Sequence, residues 1–176
     1  MKTWITVLCA VALLAGCAKK KDGLYTTWYE NGQKKEETTY KDGIKHGLET
    51  GWYENGQKER ERTFKDDKLH GQTTTWYSNG QKSYEATFKD DKVDGPWTSW
   101  HENGQEKVNL YKDDGKKVGL WTLRYENGQK RDESTWKDGK LVSATVWKPN
   151  GEKCPAAKSI VLAACLNNLL TPLSFP

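Results

Sequence analysis

Trp52-Tyr53-Glu54-Asn55-Gly56-Gln57-Lys58 recurs along this chain with small changes. Trp28-Tyr29-Glu30-Asn31-Gly32-Gln33-Lys34 precedes it; Trp76-Tyr77-Ser78-Asn79-Gly80-Gln81-Lys82, Trp100-His101-Glu102-Asn103-Gly104-Gln105 and Tyr125-Glu126-Asn127-Gly128-Gln129-Lys130 follow. The first five copies are 24 residues apart, and a sixth, Trp147-Lys148-Pro149-Asn150-Gly151-Glu152, arrives after 23. Self-similarity at a fixed period of this size marks a repeat architecture. Asn-Gly at the centre of each copy signals a hairpin, because both residues tolerate a left-handed backbone. A second turn separates the copies: Lys41-Asp42-Gly43, Lys65-Asp66-Asp67, Lys89-Asp90-Asp91, Lys112-Asp113-Asp114-Gly115 and Lys137-Asp138-Gly139. Each repeat thus holds two alternating segments, such as Leu48 to Tyr53 and Gln57 to Phe64. The expected fold is all-β, an elongated single-sheet antiparallel meander of about six hairpin repeats.

Composition agrees with a thin sheet. Apolar residues are 35% of the chain and charged residues 30%, whereas globular domains are roughly 45–50% apolar, so a thick core is excluded. Nine Trp and eight Tyr argue against disorder, which is poor in aromatics. Net charge is +4 with Lys and Glu interleaved, leaving no basic stripe for phosphates, so no nucleic-acid partner is expected.

Loop length decides which aromatic residues share a face, and two registers are open. A two-residue turn at Asn55-Gly56 pairs Tyr53 with Lys58 and puts Tyr53 on the face of Phe64. A three-residue loop, Glu54-Asn55-Gly56, pairs Trp52 with Lys58 and puts Trp52 there. The second is preferred: it gathers Leu48, Thr50, Trp52 and Phe64 on one face and leaves mostly Glu and Lys on the other. The expected apolar face is then even-numbered throughout, from Leu24 and Trp28 to Leu120 and Trp136. In the fourth copy Tyr111 comes one position early relative to Phe64 and Phe88, and the missing residue is expected in the longer turn from Lys112 to Gly115.

The chain ends have their own signals. Met1-Lys2, the apolar run from Ile5 to Leu14 and the small residues before Cys17 form the three parts of a secretory signal, and the run is too short to span a membrane. Leu14-Ala15-Gly16-Cys17 resembles the lipobox of bacterial lipoproteins, which implies cleavage before Cys17, acylation of that residue with palmitate-type chains, and membrane anchoring. Ala18 in the next place implies the outer membrane. The expected division is a signal peptide at 1–16, a lipidated tether at 17–22, a repeat domain at 23–152 and an apolar segment at 153–176. In that last segment Ser159 and the run from Ile160 to Leu166 read as a short capped helix. It covers an open strand edge or the apolar face, or docks a partner or the membrane; a frame-shifted reading of the gene is the third option. Cys9 leaves with the signal and Cys17 carries lipid, so Cys154 and Cys165 are a candidate disulfide in an oxidising envelope or a free buried pair.

Gly47, Trp52-Tyr53, Asn55-Gly56, Phe64, Lys65-Asp66 and Gly71, with their equivalents in the other copies, resemble the variant MORN repeat, the class of YwqK-type antitoxin components. The resemblance covers roughly residues 23–152. It implies a twisted single sheet that binds or scaffolds proteins and is not an enzyme. Tyr25, Trp97 and Trp121 fit the aromatic that many family copies carry two residues after the repeat Gly; Glu49 and Thr73 depart from it, and Arg124 replaces Trp at the fifth turn.

Chemistry-bearing patterns are few. The sequence has no nucleophile elbow, P-loop, HExxH or zinc-type Cys/His spacing, so neither enzyme activity nor a metal or other cofactor is expected. His46 and His70 are one period apart, hence two strands or about 9.5 Å, too far to share an ion within one sheet. The candidate contact residues are the aromatic rows Trp28, Trp52, Trp76 and Trp100, and Tyr29, Tyr53, Tyr77 and Tyr125. Either row offers rigid amphipathic area to an extended partner, although the Trp row also serves the thin core. The expected function is a lipid-anchored envelope protein presenting a repeat sheet to a protein partner, with an antitoxin or immunity role as the family label implies. The other reading is a binder of peptidoglycan or another envelope polysaccharide.

Overall fold

The computed structural model describes residues 22–155. The expected signal peptide, the lipidation site Cys17, Cys165 and the expected C-terminal helix lie outside the described residues. Eleven strands follow one another: β1 Gly23–Trp28, β2 Lys34–Lys41, β3 Ile44–Trp52, β4 Lys58–Lys65, β5 Lys68–Trp76, β6 Lys82–Lys89, β7 Lys92–Trp100, β8 Glu106–Asp113, β9 Lys116–Arg124, β10 Lys130–Lys137 and β11 Lys140–Val146. They form one antiparallel sheet in sequential order, so every contact between strands is with the hairpin partner or the next hairpin. A bridge between Trp147 and Lys153 extends it after β11.

The two turn types do different work. At Asn55 the backbone closes as a three-residue loop, with Tyr53 N donating to Gln57 O and Gly56 N to Tyr53 O, both at 2.9 Å. Gly56 there has φ +83°, a left-handed conformation that only glycine adopts without strain. The turns between repeats are two-residue type I′ turns, with Asp66 and Asp67 both left-handed at φ 52° and 64°. Asp67 tolerates this because its carboxylate accepts a hydrogen bond from Lys45 N at 2.7 Å.

Register departs from the expectation one residue beyond the loop. Trp52 pairs with Lys58, as a three-residue loop requires, but Gly51 then pairs with Arg60 and Glu59 is left over as a bulge. Lys35, Ser83, Lys107 and Arg131 are the equivalent extra residues in the other hairpins. Side chains alternate with period two, so one inserted residue sends the rest of the return strand to the opposite face. The single even-numbered apolar face is therefore split. Leu24, Trp28, Leu48, Trp52, Trp76, Trp100 and Leu120 lie on one face, called open below. Phe64, Tyr84, Phe88, Val108, Leu110 and Trp136 lie on the other, the packed face, together with Tyr25, Glu49, Thr73, Trp97 and Trp121.

The packed face carries the core. Val108, Leu110 and Trp121 are buried, with Trp97, Leu123 and Trp136 packed around them. Trp121 and Trp136 stand 5.6 Å apart at their ring centroids, Tyr84 and Trp97 5.9 Å, and Tyr25 and Tyr40 5.3 Å. The fourth copy is also corrected. Its turn is Asp114-Gly115 with Asp113 pairing Lys116, the same length as the others, so no strand residue is missing. Lys112 occupies the place of Phe64 and lies 5.4 Å from the Trp97 ring, while Tyr111 falls on the open face and is half exposed.

Candidate functional site

The conserved-looking heptapeptide turns out to be a fastener between repeats. Tyr29 donates its hydroxyl to Trp52 O, Tyr53 to Trp76 O and Tyr77 to Trp100 O, each at 2.7 Å, and Tyr125 donates to Trp147 O at 2.8 Å. Asn55 joins the same scheme: its Oδ1 accepts from Gln57 N at 3.0 Å inside its own turn, and its Nδ2 donates to Ser78 O at 3.0 Å in the next. A Cβ on Gly56 would stand 2.7 Å from Gln33 Oε1, so the Gln of one repeat lies against the turn Gly of the following one. Burial raises the Tyr53 phenol above its ordinary value, with the charge of Glu59 adding to the effect. Burial does the same at Tyr77 and Tyr125. The Tyr row keeps ring edges near the surface, but its hydroxyls are spent on the backbone.

The Trp row stands on the open face with a partner that the sequence reading missed. Lys34 lies 5.6 Å from the Trp52 ring, Lys58 5.6 Å from Trp76, and Lys82 5.8 Å from Trp100. Each of these lysines comes from the preceding hairpin, so Trp and Lys alternate from strand to strand as a cation–π ladder. Lys34 also pairs with Glu37 and Lys58 with Glu61, both at 2.6 Å. The signal was present as a Lys eighteen residues before each of these Trp, but only the register shows that it reaches the next repeat's ring. Leu24 (61% exposed), Trp28 (57%), Leu48 (46%) and Leu120 (57%) meet solvent on this face, whereas Leu141 (54%), paired with Trp136, does so on the other.

The packed face holds two clefts at equivalent places in the repeat. The first, about 470 Å³, is lined by Tyr53, Glu59, Arg60, Thr75, Trp76, Tyr77 and Ser83, with Glu36, Lys45, Glu49 and Arg62 behind them. Glu49 is 1% exposed where many repeats of this type place an aromatic. Arg60 Nε is 3.3 Å from Glu49, while its other nitrogens reach Glu36 and Glu59 at 2.5 Å. Burial opposes the charge of Arg60, but Glu59, Glu49 and Glu36 outweigh it and hold the guanidinium above its ordinary value. Burial likewise works against the Glu36 carboxylate, yet hydrogen bonds from Thr38 and Arg60 bring it below its ordinary value. The charged groups of this cleft are thus paired with one another. The second, about 480 Å³, is lined by His101, Lys107, Val108, Leu123, Arg124, Tyr125 and Arg131, with Glu126, Asn127 and Pro149 at its mouth.

Each residue singled out from sequence now has a place. Trp28, Trp52, Trp76 and Trp100 share the open face; Tyr29, Tyr53, Tyr77 and Tyr125 tie neighbouring turns together. Cys154 is buried and disulfide-bonded, and the other three cysteines lie outside the described residues. His46 Nδ1 sits 3.2 Å from Asp66 and His70 Nδ1 3.5 Å from Asp90, each bracing the next inter-repeat turn.

Residues 21–42, 45–66, 69–90 and 117–143, more than half of the chain, match the MORN repeat variant. The chain belongs to the MORN repeat variant family. No curated protein matches it. The four matched segments of this MORN-variant chain are the copies that keep the 24-residue grammar most fully, and the stretch between 90 and 117 contains β7 and β8, the strands that depart from it. The family supports a repeat protein with a binding or scaffolding role.

Proposed function

We propose that this MORN-variant chain is a lipid-anchored envelope protein whose repeat sheet binds a protein partner through its open face and performs no catalysis. The observation that carries the reading is the gathering of Leu24, Trp28, Leu48, Tyr111 and Leu120, all large, apolar and exposed, on one face beside the Trp–Lys ladder. The exposed residues fall in two groups, on β1 and β3 and on β8 and β9, with the Trp–Lys ladder between them, and Trp and Tyr serve as rigid anchors in protein contacts. A non-catalytic role is supported by the occupation of the titratable groups: His46, His70 and His101 each brace a neighbouring turn or carbonyl. Anchoring is supported by Leu14-Ala15-Gly16-Cys17, and export suits an immunity role against an incoming envelope toxin better than neutralisation of a cytoplasmic one.

Two experiments test this. Cys17→Ala is expected to release the protein from membranes on fractionation, and retention would overturn the anchor. A pull-down from envelope extract with the fragment from Ala18 is expected to enrich one protein, and Leu48→Ser with Trp52→Ala is expected to abolish that capture. A second reading, binding to an envelope glycan, draws on the regular Trp row, whose members on alternate strands recur about every 9.5 Å. Co-sedimentation with peptidoglycan in place of protein capture would select it.

A further inference from the structure

The two clefts of the packed face are the same place in the repeat, two periods apart, built with opposite chemistry. Glu59 in the first corresponds to Lys107 in the second, Ser83 to Arg131, and Trp76 to Arg124. The floor changes too: Arg60 and Thr75 become Val108 and Leu123. In the first cleft Arg60 is taken up by ion pairs with Glu36 and Glu49 along the wall. In the second, Val108 and Leu123 leave an apolar floor, Lys107 and Arg131 stand at its rim, and the carboxylates near them are Glu126 at the mouth and Asp132, which pairs with Leu123.

A third change lies in the wall of the cleft. Tyr53, Tyr77 and Tyr125 span the gap to the next repeat's carbonyl, whereas His101 makes the equivalent contact with its shorter ring, Nε2 lying 3.2 Å from Arg124 O. His101, Lys107 and Val108 fall in the stretch that the family match passes over, and Arg124 replaces the Trp of the other copies. Drift from the repeat is thus concentrated around one cavity and changes its wall, its floor and its rim together. Arg124 is engaged outside it, donating to Gly128 O at 3.3 Å.

From this we infer that the cleft between His101 and Arg131 is a binding site for a small amphipathic acid, its apolar body on Val108 and Leu123 and its anionic head between Lys107 and Arg131. The volume of about 480 Å³ falls within the range of small-molecule sites. An apolar floor supplies affinity through burial, and the rim selects charge, since a hydrogen bond to an ionised group exceeds a neutral one.

Isothermal titration of decanoate into the full chain tests the site, with decanol and decyltrimethylammonium as neutral and cationic probes of the same tail. Decanoate is expected to bind at one site, and decanol and the cation about tenfold or more weakly, the loss expected for one charge-assisted contact. Lys107→Glu with Arg131→Ser gives the rim of the first cleft and is expected to remove the preference for the acid while leaving the circular-dichroism spectrum unchanged. Failure of decanoate to bind, equal binding of all three probes, or undiminished binding in the double variant would each overturn the proposal.

Discussion

The hydroxyl of Tyr53 donates to the backbone carbonyl of Trp76 at 2.7 Å across a sequence distance of 23 residues. Tyr and Trp are adjacent in the repeated heptapeptide, so each copy offers the carbonyl that the previous copy's Tyr needs. A chain of identical nearest-neighbour contacts of this kind is what makes a repeat array approximate a sum of units and interfaces. Removing one hydroxyl therefore loosens one interface. Tyr53→Phe is expected to destabilise the protein by about 1 kcal/mol, the net worth of one hydrogen bond, as read by urea denaturation. A change of the same size for Tyr53→Phe made together with Tyr77→Phe as for either alone would show that the contacts do not add along the array.

Tyr84 gives an alkaline signature. Burial pushes its phenol up to about 12, against Trp97 with ring centroids 5.9 Å apart. A raised value means that the fold prefers the neutral phenol, so the stability linked to it is full below the ordinary value near 10 and is lost as pH rises from there through about 12. Tyr84→Phe is expected to flatten that part of the stability profile. Phenolate absorbance followed through the same range should show one fewer late-titrating tyrosine in the variant than in the wild type, where Tyr53, Tyr77 and Tyr125 are also raised.

The Arg60 network makes an acid-side prediction. Arg60→Met leaves Glu49 buried with only Lys45 and Arg62 beside it, and a loss of about 2–4 kcal/mol is expected from an uncompensated buried carboxylate. Glu36 is held below its ordinary value, so its contribution is present above that value and is lost as pH falls through the lowered one. In Arg60→Met the acid unfolding midpoint should move to higher pH. Recovery of stability in Arg60→Met with Glu49→Leu would identify the stranded carboxylate as the cause.

Glu59 separates side-chain from register effects. Glu59→Ala removes one partly exposed ion pair with Arg60 and is expected to lose less than about 1 kcal/mol. Deletion of Glu59 removes the bulge and turns Arg60, Arg62 and Phe64 toward the open face, with an expected loss of more than about 3 kcal/mol. Thermal unfolding monitored by tryptophan fluorescence compares the two. Equal and small effects would mean that the bulge does not set the phase of the return strand.

The fold was legible because its signals are local and repeated. Asn-Gly and Lys-Asp turns at a 24-residue period require hairpins in sequence order, and a meander is what such hairpins make when each pairs with the next. The three-residue loop at Asn55 was readable for the same reason. The faces were not: Glu59 and its equivalents look like ordinary strand residues, and nothing in their chemistry announces a bulge. Whether Glu59 is paired or skipped depends on hydrogen bonds with a strand that the sequence does not name, and that one residue decides whether Trp52 and Phe64 meet.

The aromatic rows divide along the same line. That Trp and Tyr recur side by side, and that the chain begins with a lipobox-like signal, are properties of the sequence alone. That Tyr53 is committed to Trp76, that Lys34 covers Trp52, and that Glu49 and Arg60 line one cleft with ion pairs while Val108 and Leu123 give its counterpart an apolar floor were decided by tertiary structure. The physical reason is reach: period and turn chemistry act through the backbone within one repeat, whereas the side chains that fasten, cover or vacate a site act on the next repeat, across distances that only the bulged register fixes.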